Sequence, residues 1–164
     1  MQSVKPDFFI LGAQKAGSSW LADQLRRQSS VFIPETEIHF FEVDSNYERG
    51  QRWYAGHFQM AQPGQLIGEK TPSMFIERAD GRVQPVAQRM FSNNPDMRLL
   101  VVLRDPIARA ISAIRHHMWW RRFSPTEDLR DLLLGRRAPK AQAWGVLEQG
   151  LYHRQLSHVW DVFP

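Results

Sequence analysis

Phe8-Phe9-Ile10-Leu11-Gly12-Ala13-Gln14-Lys15-Ala16-Gly17-Ser18-Ser19-Trp20 decides the fold. A short apolar run stops at a glycine, and from Ser18 to Gln28 the residues Leu21 and Leu25 fall at helical spacing, so the stretch predicts strand, tight loop and helix. Gly12 and Gly17 open backbone geometries closed to other residues. The helix behind them points unpaired N–H groups and the positive end of its dipole into the loop, where an oxyanion such as phosphate or sulfate would be held.

Outward from this loop the same alternation continues. Val31–Ile33 predicts a second short strand closed by Pro34, followed by a polar-aromatic loop over Glu35–Val43. Tyr47–Phe58 predicts a helix whose core face carries Trp53, Tyr54 and Phe58, and Leu66–Gly68 a third strand leading into the polar stretch Glu69-Lys70-Thr71-Pro72. Val83, Val86, Ala87 and Met90 recur at helical spacing, with Pro85 tolerated in the first turn, until Asn93-Asn94-Pro95-Asp96 stops the helix. Leu99–Leu103 is a continuous apolar run, the pattern of a buried central strand in a parallel sheet. Pro106 then opens a helix with Ile107, Ile111, Ile114 and Met118 on one stripe. Ser124-Pro125-Thr126-Glu127 reads as a capping box for a short helix closed by Gly135, and a last helix from Leu151 carries Tyr152, Leu156, Val159, Trp160 and Phe163. Short strands alternating with helices predict a single α/β domain over residues 1–164. Its central parallel sheet, with right-handed crossovers, is flanked by helices in a P-loop-like three-layer arrangement.

The chain has 164 residues, of which 43% are apolar, enough for one buried core. With no cysteine, a disulfide framework, a thiolate nucleophile and a cysteine-built zinc site are all excluded. The apolar runs fall far short of the ~20 residues a membrane-spanning helix needs. Met1–Leu11 also lacks a signal-peptide core and cleavage site, so a soluble cytoplasmic protein is expected. A net charge of +4, with basic residues dense from Arg98 to Lys140, favours an anionic partner. Charge alone does not choose among nucleotide, sulfated sugar, nucleic acid and membrane surface.

The two loop glycines have the spacing of a Walker loop, yet Ser18 stands where a P-loop kinase or ATPase needs lysine, and Lys15 lies inside the loop instead. The segment from Pro6 to Leu21 resembles the 5'-phosphosulfate-binding segment of the sulfotransferases that use 3'-phosphoadenosine 5'-phosphosulfate (PAPS). It is closest to their heparan sulfate glucosaminyl branch and its bacterial relatives. The resemblance implies that Lys15 contacts the donor's bridging oxygen and sulfate, while Ala16, Gly17, Ser18, Ser19 and Trp20 hold the 5'-phosphate.

A second segment, Arg104-Asp105-Pro106-Ile107-Ala108-Arg109-Ala110-Ile111-Ser112, resembles the family's 3'-phosphate motif. That likeness assigns Arg104 and Ser112 as the clamp. An arginine fork at the carboxyl end of a parallel strand faces the crevice where α/β folds bind ligands. Both motifs together imply that the Lys15 turn and the Arg104 strand tip open onto one cleft and grip opposite ends of one nucleotide.

Sulfuryl transfer needs in-line positioning, neutralisation of the leaving phosphate and a base for the acceptor proton. Glu35-Thr36-Glu37-Ile38-His39-Phe40-Phe41 resembles the acidic-x-His-Phe-Phe segment of the glucosaminyl 3-O-sulfotransferases, which implies Glu37 as base. Residues alternate with period two along an extended segment, so His39 is expected beside it. Gly68-Glu69-Lys70-Thr71-Pro72 resembles a further motif of that branch, in which the lysine approaches the donor sulfate or the acceptor; Lys70 is the match, and Glu69 is a second candidate base. On residue pattern alone, Glu37 and His39 equally suit a loop-orienting pair, and Glu69-Lys70 a loop ion pair. His116 and His117, adjacent on a helix, point in different directions and do not make a metal site; no metal is expected. Trp119 and Trp120 either cover the core or stack against a sugar ring or the adenine.

The resemblance covers nearly the whole chain, through the Gly150-Leu151-Tyr152 helix, where family members continue with another strand and a basic loop that closes over the nucleotide. The domain is therefore expected to be incomplete at its C-terminus, and the isolated chain to bind the donor weakly and turn over poorly. The implied reaction moves a sulfuryl group from PAPS, leaving 3'-phosphoadenosine 5'-phosphate (PAP), to a hydroxyl or less readily an amine. Its acceptor is a glycan or small molecule, with no nucleic acid and no membrane as partner. Two alternatives stand beside it. One is a P-loop nucleotide kinase or NTPase, and the other a non-catalytic polyanion-binding module with salt-sensitive affinity that survives loss of Lys15.

Overall fold

The computed structural model describes residues 4–75, 83–133 and 144–163. Strand β1 (Phe8–Gly12) is buried along its whole length and pairs in parallel with β3 (Leu66–Lys70) on one side and β4 (Arg98–Val101) on the other. β2 (Val31–Phe32) pairs in parallel with β3, so the sheet order is β2-β3-β1-β4. All four strands run the same way, and the helices between them supply the crossovers that parallel pairing requires. This is the central parallel sheet with flanking helices that the sequence predicts.

Among the described residues the helices are α1 (Ser18–Arg26), α2 (Asp44–Tyr47), α3 (Gly50–Gly56), α4 (Val83–Asn93), α5 (Pro106–Trp119), α6 (Leu129–Leu133) and α7 (Tyr152–Trp160). Single 3-10 turns lie at Pro72–Phe75 and Glu148–Gly150. The main core gathers Phe9 and Leu11 of β1 with Phe40, Phe41, Tyr54, Phe58, Met90 and Val159. Within it the Phe40 and Tyr54 rings stack at 4.3 Å, and Phe41 meets Tyr54 edge-on. The loop that carries Glu37 and His39 is thus nailed to the core by two fully buried aromatics.

Five expectations are corrected. Leu99–Leu103 is not a central buried strand: β4 stops at Val101, lies at the edge of the described sheet and leaves Leu100 and Leu103 exposed, whereas β1 holds the buried interior position. The stripe Ile107-Ile111-Ile114-Met118 is not the buried face of α5, because Ile107 is exposed and the buried residues are Arg109, Ala110, Ala113, Ile114 and His117. Small residues there let α5 approach closely, which apolar size alone does not signal. Tyr47–Phe58 is two short helices, broken where Gly50 takes a φ of +78°. β3 runs two residues further than its apolar stretch, so Glu69 and Lys70 are strand residues beside Phe9 and Ile10. Ser124 to Glu127 forms a turn in which Glu127 accepts from the Ser124 N–H, with α6 starting only at Leu129; Gly135 lies outside the described residues.

Candidate active site

The first loop leaves β1 and is stitched to the end of β4: the Ala13 N–H donates to the Val102 carbonyl and the Val102 N–H to the Gly12 carbonyl. Gly12 and Gly17 have φ values of +138° and +115°, and Lys15 itself turns left-handed at +66°. Gly17 is the N-cap of α1, with no side-chain cap and no acidic residue in the first turn. The leading N–H groups of a nine-residue helix therefore face the loop without a protein carboxylate or hydroxyl to satisfy them. Ser18 is buried, while Ser19 and Trp20 are exposed.

Arg104 lies just past β4, and its guanidinium donates to the Lys15 carbonyl at 3.3 Å. The strand tip and the loop thus meet, through the Arg104 side chain and the Lys15 backbone. Arg104 is held in turn by α7, whose Tyr152 hydroxyl donates to the Arg104 carbonyl at 2.8 Å. Asp105 caps α5 by accepting from the Ala108 N–H, and Ser112 sits half-buried two turns in.

The catalytic candidates assemble on the same side. The Lys70 ammonium donates to Glu37 Oε1 at 2.6 Å and reaches Ser19 Oγ at 3.4 Å, so one side chain ties the carboxylate to the loop. Glu37 Oε2 lies 3.6 Å from His39 Nε2. The other ring nitrogen, Nδ1, pairs with Glu42 Oε1 at 2.6 Å, and Ser73 Oγ donates to that same oxygen at 2.9 Å. Glu37 and His39 do meet, but not through strand alternation. His39 adopts a φ of +55°, and the Asn46 amide holds the bend by donating to the carbonyls of Ile38 and His39. Its hydrogen bond to Glu42 raises the His39 pKa, against the lowering effect of burial.

Glu69 and Lys70 point to opposite faces of β3. Lys70 joins the cleft; Glu69 is sealed in the core, where the Tyr54 hydroxyl donates to Oε2 and the Thr71 hydroxyl to Oε1. Burial pushes the Glu69 pKa up to about 8, so the carboxyl is largely protonated at neutral pH. Burial and the adjacent Glu69 also push Tyr54 well above its ordinary value.

Sequence reasoning brought together Lys15, Ser19, Glu37, His39, Lys70 and Arg104, and it missed Glu42, Ser73, Tyr54 and Tyr152. Glu42 had a signal, its position three residues after His39; Tyr152 had none, since it meets Arg104 across 48 residues of chain. Among the described residues no cluster of three or more His, Asp or Glu is placed to hold a metal ion, and no helix is long and apolar enough to cross a membrane.

The model of the sulfotransferase domain family matches residues 5–164. The chain belongs to the sulfotransferase family. Heparan sulfate glucosamine 3-O-sulfotransferase 6 of Homo sapiens is 35% identical over 163 residues, 97% of this chain and 44% of that protein. Heparan sulfate glucosamine 3-O-sulfotransferase 3B1 of Homo sapiens is 31% identical over 160 residues, again 97% of this chain but 39% of the relative. The crystal structure of a sulfotransferase from Alicyclobacillus acidocaldarius superposes with a TM-score of 0.81 at 27% identity, covering 98% of this chain and 70% of that one. This sulfotransferase chain therefore spans less than half the length of these curated relatives.

Proposed function

We propose that the chain carries the donor cleft and base of an enzyme that transfers a sulfuryl group from PAPS to a hydroxyl of a glycan. One observation carries the reading: Lys70 touches both Ser19 of the anion-binding loop and Glu37, so the donor loop and a part-exposed carboxylate share one cleft. The uncapped start of α1, the left-handed Gly17 and the Arg104 fork fit a ligand with phosphate at both ends.

In this reading Lys15 and the N–H groups of Ala16 to Trp20 hold the 5' end, and Arg104 and Ser112 hold the 3'-phosphate. PAPS supplies an activated sulfuryl group on a phosphate leaving group. Lys15 neutralises the charge that gathers on that phosphate, and Glu37 takes the acceptor hydroxyl's proton. Lys70 orients Glu37 at one oxygen, and His39, braced by Glu42, faces the other.

The glycan acceptor is supported by relatives named for heparan sulfate glucosamine. Calorimetry with PAP against ATP tests the donor site on the parent chain, Lys15→Ala and Arg104→Ala. PAP is expected to bind in preference to ATP, with each substitution weakening it on the order of tenfold, the scale of one lost charge-assisted contact. Tighter binding of ATP, or indifference to both substitutions, would overturn the proposal.

A further inference from the structure

The loop that carries Glu37 runs from the end of β2 at Phe32 to the start of α2 at Asp44. Its carbonyls are met by side chains instead of a partner strand, and two of those side chains are arginines that the transfer chemistry does not use. At the leading end, Arg26 in the last turn of α1 donates from Nε to the Ile33 carbonyl at 3.1 Å and from Nη2 to the Pro34 carbonyl at 2.5 Å. Its remaining nitrogen, Nη1, donates to Asp23 on the same helix at 2.6 Å, which orients the fork. At the trailing end, Arg89 of α4 donates from Nη1 to the Phe41 carbonyl at 2.8 Å and from Nη2 to Asp44 at 2.7 Å. Its guanidinium lies 4.3 Å above the Tyr47 ring, so the plane of that fork is set as well as its position.

Each arginine joins two loop acceptors with a rigid planar fork, whereas a lysine would meet them as a point charge. Glu37 lies between the forks, three residues after Pro34 and four before Phe41. Glu42 follows Phe41 directly, so the Arg89 fork also fixes the carboxylate that braces His39. The leading fork has a second consequence. The N-terminus of α1 at Gly17 faces the anion-binding loop, and Arg26 stands at the other end of the nine-residue helix, about 14 Å away. One rigid helix thus touches the donor loop with its first residues and the base loop with its last. Misplacement of reacting groups by about 1 Å costs on the order of 100-fold in rate, so a fixed separation between the two loops has chemical value.

We propose that Arg26 and Arg89 are positioning residues that clip the base loop at both ends and hold Glu37 at a set distance from the donor loop. The inference rests on the reading of Glu37 as base and deepens it. After Glu37 the buried rings of Phe40 and Phe41 share the task with Arg89. Before it Glu35 and Thr36 are exposed, and the Arg26 fork holds that half of the loop.

Two loop readouts on the 164-residue chain test this, beside PAP affinity by calorimetry. The first is the His39 titration followed by NMR in Arg89→Met, which keeps the stem and removes both donors. With Phe41 released, Glu42 parts from the ring and the midpoint should fall back toward 6.5, whereas loss of a positive charge alone would move it up. The second is the EPR spectrum of a nitroxide at Thr36→Cys, a unique attachment point because the chain has no cysteine. Its mobile component should grow on the order of tenfold in Arg26→Met, the scale of losing two carbonyl hydrogen bonds. PAP affinity should stay within about twofold of the parent in both variants. Where a methionine variant does not fold, Arg26→Lys and Arg89→Lys carry the test, since one nitrogen does not span two acceptors; the same changes are expected at smaller size. A His39 midpoint that stays or rises, a spectrum that ignores Arg26, or a loss of PAP affinity overturns the clips. If PAP fails to bind the parent while both loop readouts respond, the donor reading falls and the loop placement stands; if PAP binds and the loop is indifferent, the clips alone fall.

Discussion

Replacing Glu69 with glutamine isolates the energetic consequence of the sealed carboxyl. In the folded chain this group titrates near 8, against 4.5 for an unperturbed glutamate, and burial is the leading cause. Between those two values the folded state holds a proton that the unfolded state has released. Stability therefore falls as pH rises, by up to ~1.4 kcal/mol per pH unit, and by about 5 kcal/mol across the window as a ceiling. Glutamine is neutral at every pH, and its amide serves the same two hydroxyls, accepting from one of Tyr54 and Thr71 and donating to the other. Urea unfolding of parent and variant at matched pH cancels every other titration. With a urea slope of about 2 kcal/mol per molar, the variant should gain ~0.7 M in midpoint over the parent for each pH unit between 5 and 8. A midpoint difference that stays constant over that range would refute the argument, since Glu69 would then titrate alike in both states. The substitution also separates the two candidate bases. A carboxyl held protonated takes no proton from an acceptor, so in the proposed reading Glu69→Gln should keep whatever sulfation the parent chain shows, while Glu37→Gln should lose it by on the order of 100-fold.

Glu42→Gln should lower the His39 titration midpoint read by NMR, because the Glu42 hydrogen bond is the main cause of its rise. The stabilisation from that pair is complete below pH 6.5 and disappears as pH climbs through the raised folded value. Its partly exposed position limits the effect to within ~1 kcal/mol, and an unmoved midpoint would contradict the assignment. Gly68→Ala would drive a methyl group into the buried Phe8 ring on the neighbouring strand. Unfolding in urea should report a loss of about 1–3 kcal/mol, and an unchanged midpoint would mean the ring yields freely.

The order of strands and helices was legible because each strand is a short apolar run ended by glycine, proline or a polar stretch. The sheet's interior was harder to read. Leu99–Leu103 is more continuously apolar than β1 in pattern, yet hydropathy does not reveal that β4 has only one described neighbour. Likewise α5 buries Arg109, Ala113 and His117 rather than Ile107, because its neighbours, not its own periodicity, decide which face is covered. At the site, Lys15 and Arg104 were readable from motifs along the chain, whereas the roles of Tyr54 and Tyr152 arise only from contacts between distant segments. Glu69 carried an ambiguous signal: in sequence it is the charged neighbour of Lys70, and only strand alternation separates the two into core and cleft.

The Tyr152 hydroxyl, resting on the Arg104 carbonyl, links the order of synthesis to the order of assembly. Strand pairing can proceed as soon as residue 101 has left the ribosome. The arginine at the strand tip acquires its brace only when α7 emerges, some fifty residues later. A nascent chain can thus pair β4 with β1 while the arginine at the tip of β4 still lacks its brace, so the two events are separable in time.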